Sequence, residues 1–186
     1  MEITHFHQVI DRFILFFFYF KFMKWKIPPL IKVYEALGCI ADERLEVDGL
    51  EGRVYSSSRE KYYTISYEPK SNSIMVNDNG SYYIGYLGYP AIAYLMKIGE
   101  LDFSKRYAIA LKGINWKDLN MKHDRNKGEG VPDYDFDAVI EEVDLLVQER
   151  GVDVHKFKGF LENILEQIKS KDLNLLGEKV LPPKGY

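Results

Sequence analysis

The chain predicts an α+β fold in which an antiparallel, tyrosine-rich meander packs against helices and a C-terminal helical hairpin. Short runs rich in Tyr, Ile, Val and Thr lie between residues 52 and 86, parted by turn residues. Residues 29–43 repeat apolar side chains at helical spacing, and residues 133–168 do so twice, on either side of Gly151. With 46% hydrophobic and 28% charged residues, the composition is that of a globular domain and not of a disordered or membrane chain.

Residues 1–22 stand apart. Phe13 to Phe20 form an apolar run bracketed by Arg12 and Lys21. The run is about half the length a spanning helix requires. It also lacks the small-residue cleavage site of a signal peptide. Phe, Ile, Leu, Tyr and Lys are what AT-rich DNA encodes, so the run reads as a doubtful leader, translated upstream of a start at Met23. A buried N-terminal element and a membrane contact are the alternatives. The domain is expected to cover residues 23–173, with an extended tail over 174–186 that contains Pro182 and Pro183.

Within the domain, Pro28 and Pro29 suit a helix start, because the first turn does not need proline's missing N–H. Leu30, Val33, Tyr34, Leu37 and Ile40 then mark one buried face over 29–43. Strands are expected over 52–57, 61–68, 73–77 and 81–86. In the second of these, Tyr63, Ile65 and Tyr67 share a face opposite Tyr62, Thr64 and Ser66. Asn79-Gly80 reads as a two-residue hairpin, since both residues tolerate positive φ. Gly88-Tyr89-Pro90 opens a second helix that ends near Gly99. Residues 105–111 alternate as a strand, with Tyr107, Ile109 and Leu111 on one side. Asn115 can cap a short helix running to His123, and residues 124–132 form a polar loop. Asp133 can cap a helix striped by Phe136, Val139, Ile140, Val143, Leu146 and Val147. Asp153 starts its partner, striped by Phe157, Phe160, Leu161, Ile164, Leu165 and Ile168.

Recognisable chemistry is sparse. The phosphate loop, the dinucleotide fingerprint, the hydrolase elbow and the His-Glu-x-x-His zinc motif are all missing. One cysteine, Cys39, excludes an internal disulfide and a multi-cysteine zinc site, and it points to the cytoplasm. His123 and His155 stand alone, so no catalytic, metal or cofactor residue is assigned. The stretch from Asp124 imitates the start of a calcium loop but has Glu129 where the turn glycine belongs. Asp137, Glu141 and Asp144 share a helical side and read as solvated carboxylates.

Two features bear on partners. Ten of the 14 tyrosines lie between Tyr55 and Tyr107. That excess suits either a core-plus-solvent sheet or a partner surface formed by Tyr62, Tyr63, Tyr82, Tyr83 and Tyr86. Residues 104–127 collect Lys105, Arg106, Lys112, Lys117, Lys122, Arg125 and Lys127 around Trp116, which permits nucleic-acid contact. No known nucleic-acid-binding motif accompanies them.

The stretches Gly88-Tyr89-Pro90-Ala91-Ile92-Ala93-Tyr94-Leu95-Met96 and Lys112-Gly113-Ile114-Asn115-Trp116 resemble an uncharacterised conserved family of hyperthermophilic archaea, a domain of unknown function. The element order is also similar to secretion-chaperone-like folds. That similarity implies dimerisation and peptide binding, although the C-terminal helical hairpin departs from the pattern. The expectation is a cytoplasmic, non-enzymatic interaction or adaptor protein that self-associates or binds a protein partner, without membrane contact. Nucleic-acid binding through 104–127 is the second reading, and an enzyme with a dispersed site the third.

Overall fold

The computed structural model describes residues 23–127, 129 and 132–184. The leader expected over 1–22 and the loop glycines Gly128 and Gly130 lie outside the described residues. The fold is α+β, built on a five-stranded sheet in the order β1-β2-β3-β4-β5.

The meander comprises β1 (Leu45–Asp48), β2 (Glu51–Tyr55), β3 (Tyr62–Glu68) and β4 (Ser73–Val76), all antiparallel. In β3 the alternation holds, with Tyr63, Ile65 and Tyr67 buried and Tyr62 exposed. β1 was not foreseen, because Leu45-Glu46-Val47-Asp48 is acidic and only half apolar. It forms because Gly49, at φ +57, and Leu50 make a two-residue hairpin that pairs Asp48 with Glu51.

The strand expected over 81–86 is instead a π-helical turn, Gly80–Ile84. Asn79 sits at φ −58, so Asn79-Gly80 is not a positive-φ hairpin. Asp78 decides the matter. Its Oδ2 accepts the N–H groups of Gly80 at 3.0 Å and Ser81 at 3.3 Å, winding the chain at the point where a hairpin would extend it.

β5 (Asn174–Leu175) adds to β4 in parallel, so the tail expected to be extended begins inside the sheet. The N-terminal stretch zips against it. Trp25 N donates to the Leu173 carbonyl at 3.1 Å, Leu175 N donates to the Met23 carbonyl at 2.6 Å, and Trp25 Nε1 donates to the Ile74 carbonyl at 2.9 Å.

α1 (Ile31–Ala41) packs on α2 (Tyr89–Lys97), which lies against the sheet. α3 (Lys105–Ala110), α5 (Phe136–Glu149) and α6 (Val154–Lys171) also touch α1. α1 is therefore buried over every residue from Ile31 to Cys39, not along one face as its periodicity suggests, and it takes Lys32 and Glu35 inside with it. The strand expected over 105–111 is α3. Ala108, Ala110 and Leu111 are buried while Ile109, expected to share a face with Leu111, is exposed, so the alternation of this short apolar run does not mark a strand.

α4 (Trp116–Lys122) is capped by Asn115, whose Oδ1 accepts from Asp118 N at 3.3 Å. α5 begins at Phe136, so it is capped by Asp135 and not by Asp133: Asp135 Oδ1 accepts from Ala138 N at 3.2 Å, while Asp133 N donates to Asp124 Oδ1 at 2.9 Å in the preceding loop. Gly151, at φ +75, ends the α5 connection, and Asp153 caps α6 as expected. Asp144 is not solvated. It is buried, accepts from the Tyr34 hydroxyl at 2.9 Å and pairs with Lys158 at 2.7 Å.

Candidate functional site

The tyrosines do not form one surface. Tyr63 and Tyr86 are buried in the body of the domain, and Tyr62, on the outer side of β3, tilts against Tyr55 with ring centres 4.0 Å apart. Tyr82 and Tyr83 belong to the π-helical turn, with their rings edge to face at 5.0 Å. The basic segment is likewise divided. Trp116 is 2% exposed, so its ring is not presented to a base. Lys117 pairs with Glu60, Lys122 with Glu142, and Arg125 with Asp133 and Asp135. Lys105, Arg106, Lys112 and Lys127 are exposed. His123 Nε2 meets the same Glu142 carboxylate at 2.8 Å, and the hydrogen bonds from Lys122 and His123 hold that carboxyl below its ordinary range.

The π-helical turn is built from within. Asn77 Oδ1 accepts Thr64 N at 2.7 Å, anchoring the end of β4 to β3. The Ser81 hydroxyl donates to Asp78 and accepts the Gly88 N–H at 3.0 Å, so a single carboxylate ties the start of the turn to the entry of α2. Two glycines make the packing possible. A Cβ on Gly80 would stand 2.3 Å from the Tyr86 hydroxyl, and one on Gly88 1.9 Å from Asp78 Oδ1. Lys26 Nζ donates to the Ile84 carbonyl at 2.9 Å and Lys179 Nζ to that of Tyr82 at 3.0 Å, closing the outer side of the turn.

This staple leaves two large side chains outside. Tyr83 is 71% exposed and Ile84 55%. Exposed Ile27 follows Lys26, and exposed Val180 and Leu181 follow Lys179, so each lysine that bonds the turn has exposed apolar residues next to it in the chain. Aromatic and aliphatic surface of this kind, held on a rigid support, is suited to contact with another molecule.

Burial pushes the Asp78 carboxyl up, against the hydrogen bonds from Ser81 that pull it down. An acid raised on folding contributes most below its unfolded value of about 4, and the contribution is lost as pH rises through the folded value. The melting temperature of the parent minus that of Asp78→Asn should therefore fall as pH is raised from acid to neutral. A flat or rising difference in paired melting curves would contradict this assignment.

Deeper inside, Lys32 Nζ donates to both oxygens of Glu35 at 2.7 and 2.8 Å and lies 5.1 Å from the centre of the Phe136 ring. Asn120 Nδ2 donates to Glu35 Oε1 at 3.2 Å. Burial first, and the carboxylates of Asp78 and Glu35 second, push the phenols of Tyr63 and Tyr86 upward. Among the described residues, no three His, Cys, Asp or Glu side chains gather as a metal site, and no helix is long and apolar enough to cross a membrane. An open groove near the end of α2, lined by Glu100, Gln167 and Lys171, holds a Lys171–Glu100 ion pair.

Sequence reading missed Asp78, Ser81, Lys32 and Glu35. Asp78 had a usable signal, an acid just before Asn79-Gly80-Ser81 able to bond the following N–H groups. Lys32 and Glu35 had none, since a charged pair on a short helix reads as its wet face.

Residues 25–174 match the family model described as uncharacterised conserved protein UCP014422. The chain belongs to that family. The matched span of UCP014422 takes in the π-helical turn, the Lys32–Glu35 pair and all four strands of the meander, and it stops before Val180 and Leu181. No curated protein and no solved structure matches the chain.

Proposed function

We propose that the protein is a non-enzymatic interaction module whose contact point is the π-helical turn, and that its occupant is an acidic peptide segment of a partner protein carrying an apolar anchor. The observation that carries this reading is the 71% exposure of Tyr83 on a turn whose own polar groups are bonded internally. A rigid aromatic side chain loses little conformational entropy on contact, and such residues dominate interface energetics. Ile84 and Ile27 supply the apolar floor, while Lys26 and Lys179 supply charge complementary to Asp or Glu. A cytoplasmic setting agrees with the single, buried cysteine.

The catalytic reading has less to rest on. The buried acids of the candidate site are already engaged, Glu35 by Lys32, Asp144 by Tyr34 and Lys158, and Asp78 by Ser81. Burial also pushes the Cys39 thiol up to about 12, far from a reactive thiolate.

Selection of a random displayed peptide library on the parent and on Tyr83→Ser/Ile84→Ser tests the proposal. Enriched peptides should combine Asp or Glu with Leu, Phe or Trp. The double variant should bind them roughly 30-fold less well, the loss expected of a hot spot worth about 2 kcal/mol. Absence of enrichment, or equal binding by the double variant, would overturn it. Retention of RNA or DNA with steep salt dependence would shift the reading to residues 104–127.

A further inference from the structure

Arg44 sits between the end of α1 and the start of β1, with a side chain only 4% exposed. Its Nη1 donates to the Tyr55 carbonyl at 2.8 Å, and its guanidinium carbon lies 5.8 Å from the centre of the Tyr89 ring. The other two nitrogens, Nε and Nη2, are buried without a hydrogen-bond partner. These two share one edge of the planar guanidinium. Their N–H bonds run nearly parallel, which is the fork that takes two oxygens of a carboxylate or phosphate. Asp42 Oδ2 stands 3.5 Å from Nε, an ion-pair distance without hydrogen-bond geometry, while Oδ1 of the same carboxylate is held by Gly113 N–H at 2.8 Å.

A further orphan donor lies against α1 at Gly38. Trp116 Nε1 is buried without an acceptor and lies 2.9 Å from where a Cβ would stand on Gly38. A buried donor left unmade is costly, so native structures rarely leave several together.

The local charge also leaves room for an anion. Cys39 is a neutral thiol, and burial keeps the Tyr89 phenol protonated as well, so neither offsets Arg44 at neutral pH. Asp42 supplies one negative charge. Against it stands Arg44; of the carboxylates whose field reaches Tyr63, Glu35 is paired with Lys32 and Asp78 is bonded by Ser81.

We propose that the Arg44 fork is a binding site for a small oxyanion, a carboxylate or phosphate group, with the guanidinium held in place by the Tyr55 carbonyl and the Tyr89 ring. The site is separate from the Tyr83 surface and does not depend on it. Variants at Tyr83 and Ile84 should leave oxyanion binding unchanged.

The probes are acetate and inorganic phosphate, titrated at constant ionic strength against chloride and read by thermal shift. The parent should show a saturable rise in melting temperature with at least one probe. Saturation with acetate alone marks a carboxylate site, and with phosphate alone a phosphate site. Arg44→Lys keeps the charge and loses the fork, and should weaken binding at least tenfold. If Arg44→Lys does not fold, a crystal structure of the parent at a saturating concentration of the bound probe decides the matter by whether the anion stands on Nε and Nη2 of Arg44. No saturable shift in the parent, full binding by Arg44→Lys, or a crystal structure with only water or Asp42 in the fork at high concentrations of both probes would overturn the proposal.

Discussion

Gly88→Ala should be among the most damaging single-methyl additions to this domain. The new Cβ would stand 1.9 Å from Asp78 Oδ1 and 2.6 Å from Oδ2, so the carboxylate must leave its place. Overpacking alone costs about 1–3 kcal/mol, and a displaced Asp78 strands the N–H groups of Gly80 and Ser81, each worth about 1–3 kcal/mol when buried and unmade. A total on the order of 4 kcal/mol corresponds to a fall in melting temperature of roughly 10 °C for a domain of this size. Thermal unfolding followed by circular dichroism provides the measurement. Gly99→Ala is the control, because no atom lies within 4 Å of its added Cβ and only the strain of its positive φ is felt. Equal losses in the two variants would show that the Asp78 staple is not what Gly88 protects.

Glu35→Ala should be comparably severe for a different reason. It leaves Lys32, with a side chain 11% exposed, charged and unpaired against Phe136. Breaking a buried pair from one side costs about 3–5 kcal/mol, whereas replacing both members by apolar groups of similar volume is often neutral or stabilising. Lys32→Met/Glu35→Leu should therefore recover to within about 1 kcal/mol of the parent in urea unfolding. A double variant as unstable as the single one would mean that Glu35 matters through Asn120 or the packing of α1 and not through Lys32.

The contrast between these two sites explains what the chain discloses before folding. β3 was legible because one face is buried and period-two alternation follows directly. The α5–α6 stripes were legible because each helix keeps a wet side. α1 is wrapped on all sides, so its periodicity marked only part of what is buried and hid Lys32 and Glu35. The π-helical turn was misread because Asn79-Gly80 carries a strong local signal, and a buried carboxylate one residue earlier overrules it. α3 was misread because six residues are too few to separate the two periods. The Arg44 fork had no signal at all, since an arginine next to a predicted helix end ordinarily lies in water.

The pairing of Met23–Trp25 with Leu173–Leu175 has a consequence for biosynthesis. The partner of the first described strand-like segment is translated long after it, and β5 is also what covers β4. The edge of β4 therefore stays open on the nascent chain until residue 175 has cleared the ribosome, although the β1–β4 meander and α1 are available much earlier. During that interval the growing polypeptide presents an unpaired strand, the kind of surface on which neighbouring chains in a polysome add to one another.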